Sequence, residues 1–218
     1  MKRQVTLEEI SDGRLYGLND MVKADCRGCE GCSACCRGMG ESIVLTPLDI
    51  FRLEKSLGCS FGELMIDRIA LNMADGLILP NLNMNGEGEA CVFLDRNGRC
   101  SIHAVRPDIC RLFPLGRFYE NGSFRYFLQI HECTKVNRMK VKVKKWLDIP
   151  ELARHEQYIS DWHYYLKETS EALEADGREE RRREVTTQIL KIFYIRPYDG
   201  ERDFYEQFYE RFEEAKAL

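Results

Sequence analysis

Cysteine is the residue type with the most chemistry in this sequence: there are ten, and five of them lie close together. The five are Cys26, Cys29, Cys32, Cys35 and Cys36. A C-x2-C pair lets two sulfurs converge on one metal because the chain reverses within two residues, and Gly28 and Gly31 permit the positive φ values of such a reversal. Thiolates at successive x2 spacings are typical of a segment that wraps one corner of an iron–sulfur cluster, while the remaining ligand comes from elsewhere. The run predicts metal ligation.

Further cysteines follow, all of them before the long helical segments of the chain. They are Cys91, Cys100, Cys110 and Cys133. Disulfides are disfavoured in the first run because each bridge needs a particular Cα separation and torsion, which so many thiols in so short a segment cannot all satisfy. The tenth cysteine, Cys59, follows a helix stop signal and has no thiol near it in sequence, so it is predicted to be a small buried hydrophobe.

The composition and the N-terminus predict a cytoplasmic, reducing environment. Lys2 and Arg3 are not followed by an apolar segment, which a secretory signal requires, and no window is long and apolar enough for a membrane helix. In a reducing compartment clustered cysteines more often bind metal than form disulfides. The formal net charge of -4 opposes general affinity for nucleic acid or anionic membranes. We expect neither partner; a protein or redox partner stays unidentified, and the oligomeric state stays open.

Two separated motifs resemble those of a known family. The first is CEGCSACC at residues 29–36, a C-x2-C-x2-C-C pattern. The second is CVFL at 91–94, followed by GRCSIH at 98–103, RPDICR at 106–111 and FP at 113–114. Together they are similar to the YkgJ-type cysteine-cluster family, described as a zinc- or iron-chelating domain. The chain departs from that pattern at His103, where an aromatic Tyr is expected, and by the additional Cys26.

The resemblance implies metal binding, and it supplies a ligand set. This set comprises Cys29, Cys32, Cys35, Cys36, Cys91, Cys100, Cys110 and Cys133, with Cys26 as a further candidate. Eight thiolates could serve two four-ligand sites or a single site with spare thiols. Adjacent Cys35 and Cys36 cannot easily point at one metal, so they could serve different centres. A zinc ribbon would show two C-x2-C pairs separated by a spacer, and only one end of this set has close spacing. The pattern therefore favours iron–sulfur, with zinc as the alternative.

Function beyond metal binding is left open by the sequence. The leading hypothesis is an iron–sulfur or zinc protein in electron transfer, cluster handling or redox sensing. The alternatives are a cluster-dependent enzyme, for example one that modifies proteins, and an interaction module stabilised by zinc. No G-x-G-x-x-G after a strand, P-loop, H-E-x-x-H or radical-SAM spacing occurs, so no nucleotide cofactor or catalytic motif supports the enzyme.

Histidines and arginines near the cysteines are the remaining candidates. His103 and His131 lie near Cys100 and Cys133 and could ligate or donate to a sulfur, although a solvated or core histidine is the favoured interpretation. His155 and His163 lie on the apolar face of a predicted helix and are predicted to be core histidines. Three arginines flank Cys110 and could either offset thiolate charge or form salt bridges. They are Arg106, Arg111 and Arg117.

The elements that must position these residues can be predicted from caps and periodicity. Thr46-Pro47 and Asp49 predict a helix start, and Ser60 with Glu63 forms a second capping box. The first helix carries Ile50, Leu53 and Leu57 and stops at Gly58; the second carries Leu64, Ile66, Ile69 and Ala70. Short strands are predicted at 77–80 and 91–94, and a hairpin at 115–119 and 124–128 around Asn121-Gly122.

The second half of the chain predicts amphipathic helices. Their apolar faces are Leu152, Ile159, Trp162, Leu166 and Leu173, and then Phe204, Phe208, Phe212 and Ala215. The sequence thus predicts an α+β protein in three parts. These are a lead-in at 1–25, a cysteine-cluster metal-binding domain with short strands at 26–138, and a helical region at 139–218 packed on it.

Overall fold

The fold combines α-helices with short antiparallel strands, which confirms the α+β prediction. The computed structural model describes residues 6–25, 32–135 and 137–216. Its strands are β1 (Met21–Asp25), β2 (Ile69–Ala74), β3 (Leu77–Leu82), β4 (Leu115–Glu120), β5 (Ser123–Leu128) and β6 (Met139–Lys142). Its α-helices are α1 (Leu7–Ile10), α2 (Pro47–Leu57), α3 (Phe61–Asp67), α4 (Asp108–Leu112), α5 (Val143–Leu147), α6 (Leu152–Asp176), α7 (Glu179–Leu190) and α8 (Phe204–Lys216). None of the helices within these ranges has the length and apolar composition needed to cross a bilayer.

Helix α2 forms as its capping residues predict. The backbone N–H of Asp49 donates to the Thr46 hydroxyl over 3.2 Å, and the Thr46 N–H donates to the Asp49 carboxylate over 2.8 Å. These reciprocal bonds satisfy donors that the first helical turn leaves free. The helix ends at Gly58, whose φ of 64° is left-handed and suits a residue without a Cβ.

Helix α3 also has its predicted capping box, between Ser60 and Glu63, but it is shorter than expected. Ile69 and Ala70, predicted on this helix, instead begin strand β2, and Ile66 is 80% exposed. The reason is the hairpin that follows: a turn with φ of 48° at Asp75 and 83° at Gly76 folds β2 back on β3. The extension of the helix beyond Asp67 was therefore wrong, whereas the strand predicted at 77–80 is confirmed within β3.

The strand predicted at 91–94 does not form. The Leu94 N–H donates back to the carbonyl of Cys91 over 2.9 Å, which makes this segment a turn. The chain then reverses at Gly98, whose φ is 69°, and the Ser101 N–H donates to the carbonyl of Phe93 over 2.8 Å. Apolar residues here serve a tight reversal that places Cys100 opposite Leu94, rather than a regular strand.

The remaining sheets join neighbouring and distant parts of the chain. The predicted hairpin is confirmed as β4 and β5, with left-handed φ values of 51° at Asn121 and 73° at Gly122, as a two-residue turn requires. Strand β1 lies in the segment interpreted as a lead-in, and it pairs with β6 so that Met21 faces Lys142 and Asp25 faces Met139. Neither β1 nor β6 was predicted as a strand.

The larger hydrophobic core combines α2, α3, β2 and β3 with the C-terminal helices. Tyr158 of α6 is fully buried and contacts the Phe208 ring of α8 edge to face at a centroid distance of 4.6 Å. The α8 face is buried as predicted, and Ile159, Trp162 and Leu173 of α6 are buried as well. A smaller core beside it is built from β1, β4, β5 and α5, around Val22, Tyr126 and Leu147.

Candidate metal centre

Six of the predicted ligand cysteines line one cavity of about 240 Å³, which we call the cysteine cavity. They are Cys32, Cys35, Cys36, Cys91, Cys100 and Cys110. Two groups that are far apart in sequence thus meet at one place. Among the cysteines that the structure describes, Cys59 and Cys133 do not line the cavity, although Glu132 does. Cys26 and Cys29 lie outside the described residues, and the ligand roles of Cys29 and Cys133 stay predictions.

Backbone hydrogen bonds connect the two cysteine groups directly. Residues 34–36 form one 3₁₀ turn, in which the Cys36 N–H donates to the carbonyl of Ser33 over 2.9 Å. The Cys36 carbonyl then accepts from the N–H of Cys91 over 2.8 Å. An isolated bridge between Arg37 and Ala90 continues this pairing. The first cysteine run is therefore held against the turn that carries Cys91 and Cys100.

Cys110 is positioned by helix α4, whose start is fixed by buried charges. Pro107 offers no side-chain cap, and the carboxylate of Asp49 from α2 accepts the N–H of Asp108 instead, over 2.8 Å. The Asp108 carboxylate in turn contacts the Arg117 guanidinium and the His155 imidazole, each over 2.6 Å. Elements α2, β4 and α6 thus meet at the helix that presents Cys110.

The charge states in this buried cluster, which comprises Asp49, Asp108, Arg117 and His155, follow from its contacts. Burial alone would raise the pKa of Asp108, but the Arg117 charge and the hydrogen bond with His155 outweigh it and hold that pKa well below its ordinary value. Burial raises the pKa of Asp49, and the neighbouring charge of Asp108 adds to this effect. Asp108 is therefore the ionised member of the pair, neutralised by Arg117.

The sequence had singled out some members of this cluster but not its arrangement. His155 is buried and hydrogen-bonded, which confirms it as a core histidine, and Arg117 forms a salt bridge. Asp108 was not singled out, because it lies between two arginines in the RPDICR segment and its spacing does not distinguish it from an exposed acid. His163 stacks on Tyr119 at a centroid distance of 3.5 Å, and burial lowers its pKa to about 4.

The other two histidines differ in their surroundings. His103 lines the cysteine cavity beside Arg106, whose Nη1 lies 3.0 Å from the His103 Nε2. Burial lowers the pKa of His103, and the nearby arginine charges add to this effect. His131 is exposed. The His103 imidazole is therefore the histidine that could donate to or ligate at the cavity.

Burial keeps several thiols of the cavity protonated in the absence of a cation. It raises the pKa of Cys91 to about 11 and that of Cys110 well above its ordinary value, and the neighbouring cysteines add to both effects. Burial also raises the pKa of Cys100. Cys36 differs, because its hydrogen bond with Cys35 outweighs burial and lowers its pKa to about 7. A cation that binds here must displace protons.

The donor chemistry of the cavity fits a thiophilic metal. Six cysteine thiols are the main potential metal donors in the lining, and the His103 imidazole and the Glu132 carboxylate are additional ones. Thiolate-rich sets select zinc or iron–sulfur clusters over hard cations such as magnesium. Within the described ranges no group of three or more His, Cys, Asp or Glu side chains is already arranged to hold an ion.

Comparison with known proteins agrees with this chemistry. A family model described as "CxxCxxCC: Putative zinc- or iron-chelating domain" matches residues 28–147. The match includes both cysteine groups and the helix that carries Cys110. Searches of curated proteins and of solved structures give no match to this chain.

Proposed function

Because this chain belongs to the CxxCxxCC family of zinc- or iron-chelating domains, we propose that it binds its metal through the thiolates of the cysteine cavity. One observation carries the proposal: two cysteine groups separated by the whole of α2, α3, β2 and β3 line the same 240 Å³ space. Cysteines that served only as small buried apolar residues would have no reason to line one cavity from two distant parts of the chain. Cys29 and Cys133 complete the proposed ligand set.

The proposed metal group is an iron–sulfur cluster with a redox role, such as electron transfer or sensing. The x2 spacing of the first run and the six thiols among the potential ligands of the cavity support it. The guanidinium groups of Arg99, Arg106 and Arg111, which line the same cavity, would offset part of the negative charge of such a cluster. Zinc bound by the same thiolates, with a structural role, is the competing assignment.

Anaerobic purification followed by analysis of iron, zinc and acid-labile sulfide tests the proposal. A brown protein with visible charge-transfer absorption and sulfide matching its iron supports the iron–sulfur assignment. A colourless protein with stoichiometric zinc supports metal binding and contradicts the cluster. Folded protein without iron or zinc above background, even after anaerobic reconstitution, would refute the proposal as a whole.

A further inference from the structure

A second and larger cavity, of about 730 Å³, adjoins the cysteine cavity. The two share His103, Arg106, Arg111 and Trp146 in their linings. Four cations line the larger one, and we call it the basic cleft: Arg52, Arg106, Arg111 and Lys145. Its acidic lining residues are Asp25 and Asp148. The cleft is therefore cationic on a chain whose net charge is -4.

Two cations of the basic cleft, Arg106 and Arg111, are held by backbone carbonyl groups. Arg111 donates to the backbone carbonyls of Asp148 and Ala104, over 3.3 and 2.9 Å. Arg106 donates to the carbonyl of His103 over 2.9 Å. Within the described residues none of the four cations forms an ion pair with an acid.

Arginines elsewhere on the surface behave differently. Arg154 pairs with Asp203 over 2.7 Å, and Arg202 pairs with Glu210 over 2.6 Å. These surface arginines are thus paired with carboxylates, whereas Arg106 and Arg111 of the cleft donate to neutral carbonyl groups. Such contacts fix a guanidinium group in place while its charge stays available to a ligand.

Two further features suit the basic cleft to binding. The Nε atom of Arg111 is buried and has no hydrogen-bond partner among the described residues, so one donor of this guanidinium is left unused. The Trp146 indole N–H donates to the carbonyl of Leu112 over 3.2 Å, which anchors its ring as a wall of the cleft. Together they provide an oriented cation beside a flat apolar surface.

We propose that the basic cleft binds a small molecule that carries a phosphate or carboxylate group next to a planar or apolar part. The oxyanion would lie among the four cations, and the apolar part against Trp146. The volume of the cleft lies within the range of small-molecule sites, roughly 300–1,000 Å³. This site adjoins the metal centre and shares Arg106 and Arg111 with it. The inference does not depend on which metal is bound.

Calorimetric titration of the full-length protein with phenyl phosphate and, separately, with phenylacetate tests the inference. Both probes combine an oxyanion with an aromatic ring, and the one that binds more tightly identifies the anionic group. The double variant Arg52→Gln/Lys145→Gln removes two cleft charges without altering a residue that lines the cysteine cavity. We expect its affinity to fall at least about tenfold, as the loss of one charge-assisted hydrogen bond implies.

A matched control is Arg183→Gln/Arg202→Gln, which removes the same charge from exposed ion pairs outside the cleft. This control variant should bind both probes like the wild type. Phenol, which lacks the oxyanion, should bind neither to the wild type nor to the control variant. Saturable binding that the cleft variant alone weakens supports the inference. No binding of either probe, or equal loss in the two variants, overturns it. If the double variant does not fold, Lys145→Gln on the exposed side of α5 is expected to weaken binding, and an unchanged affinity would overturn the inference.

Metal content measured on the same samples keeps the two proposals apart. Probe binding by protein that cannot be loaded with metal would support the cleft and contradict the metal centre. Metal-loaded protein that binds neither probe would support the metal centre and contradict the basic cleft.

Discussion

Replacing Asp108 by Asn should cost more stability than any surface charge replacement in this protein. The Asp108 carboxylate is 3% exposed, and it lies 2.6 Å from the Arg117 guanidinium, which is 9% exposed. Asn keeps the size of the side chain and removes its charge. The positive charge of Arg117 then stays buried without a counter-charge, and this loss dominates the expected effect.

The expected loss of stability follows from comparison with a solvent-exposed ion pair of similar geometry on the same protein. Arg154 and Asp203 approach to 2.7 Å, almost the same distance, but their side chains are 44% and 33% exposed. Breaking a buried pair by removing one partner costs about 3–5 kcal/mol, whereas an exposed pair is worth roughly 0–1 kcal/mol. We therefore expect about 3–5 kcal/mol for Asp108→Asn and below about 1 kcal/mol for Asp203→Asn. Against a total free energy of unfolding of about 5–15 kcal/mol, the loss expected for Asp108→Asn is large.

Urea unfolding followed by circular dichroism measures both values. A third protein, Asp108→Asn/Arg117→Met, removes both charges and should recover much of the loss, because no buried charge is then left without a counter-charge. Metal content should fall with Asp108→Asn, since α4 presents Cys110 two residues further on. A loss below about 1 kcal/mol for Asp108→Asn, equal to that of Asp203→Asn, would show that this cluster does not fix α4.

The same carboxylate predicts a pH dependence. The pKa of Asp108 is lowered in the folded state, so its ionisation stabilises the fold above the unfolded pKa of about 3.9, and this contribution is lost as the pH falls further. The difference in unfolding free energy between wild type and Asp108→Asn should therefore be constant near neutral pH and shrink below about pH 4. A difference that stays constant down to pH 2 would contradict this assignment.

Three other outcomes are expected. Cys110→Ser should lose bound metal, while Cys59→Ser, outside the cysteine cavity, should keep it; equal losses would show that the ligand list is wrong. Gly116→Ala should lower the free energy of unfolding by about 1–3 kcal/mol, because its Cβ would overlap a facing phenylalanine ring. Gly62→Ala on α3 has room for a Cβ and should raise the free energy of unfolding by about 0.5 kcal/mol in the same urea titration. A fragment ending at Arg138 should bind a hydrophobic dye because it exposes the larger core; a soluble, monomeric fragment without dye binding would show that the C-terminal helices form an independent unit.

Local signals predicted those parts of the fold that depend on a few neighbouring residues. The start and end of α2 follow from Thr46, Asp49 and Gly58, and the β4–β5 hairpin follows from Asn121-Gly122. Each of these signals acts through bonds or φ values within its own turn. In β2, pairing with the adjacent strand β3 outweighed the helical pattern, so Ile69 and Ala70, predicted on the helix, lie in the strand.

The candidate site was predictable in its residue types but not in its supports. Thiol spacing singled out six residues that the structure brings to one cavity. The contacts of Asp108 with Arg117 and His155 join three separate elements, and no periodicity or spacing in the sequence encodes such a meeting. The turn at 91–94 was mistaken for a strand because its apolar residues are buried by a chain reversal, which a short apolar run does not distinguish from a strand.

The pairing of β1 with β6 gives the cysteine-bearing segment a particular topology. Because Asp25 faces Met139, the chain enters and leaves this segment at one point, and all ten cysteines lie between. Strand hydrogen bonds and the smaller core around Val22 help to compensate the entropy lost in closing so long a loop. Between these ends the chain contributes α2, α3, β2 and β3 to the larger core, on which the C-terminal helices pack. Opening of the cysteine-bearing segment is therefore coupled to the packing of the C-terminal helices and is not confined to one loop.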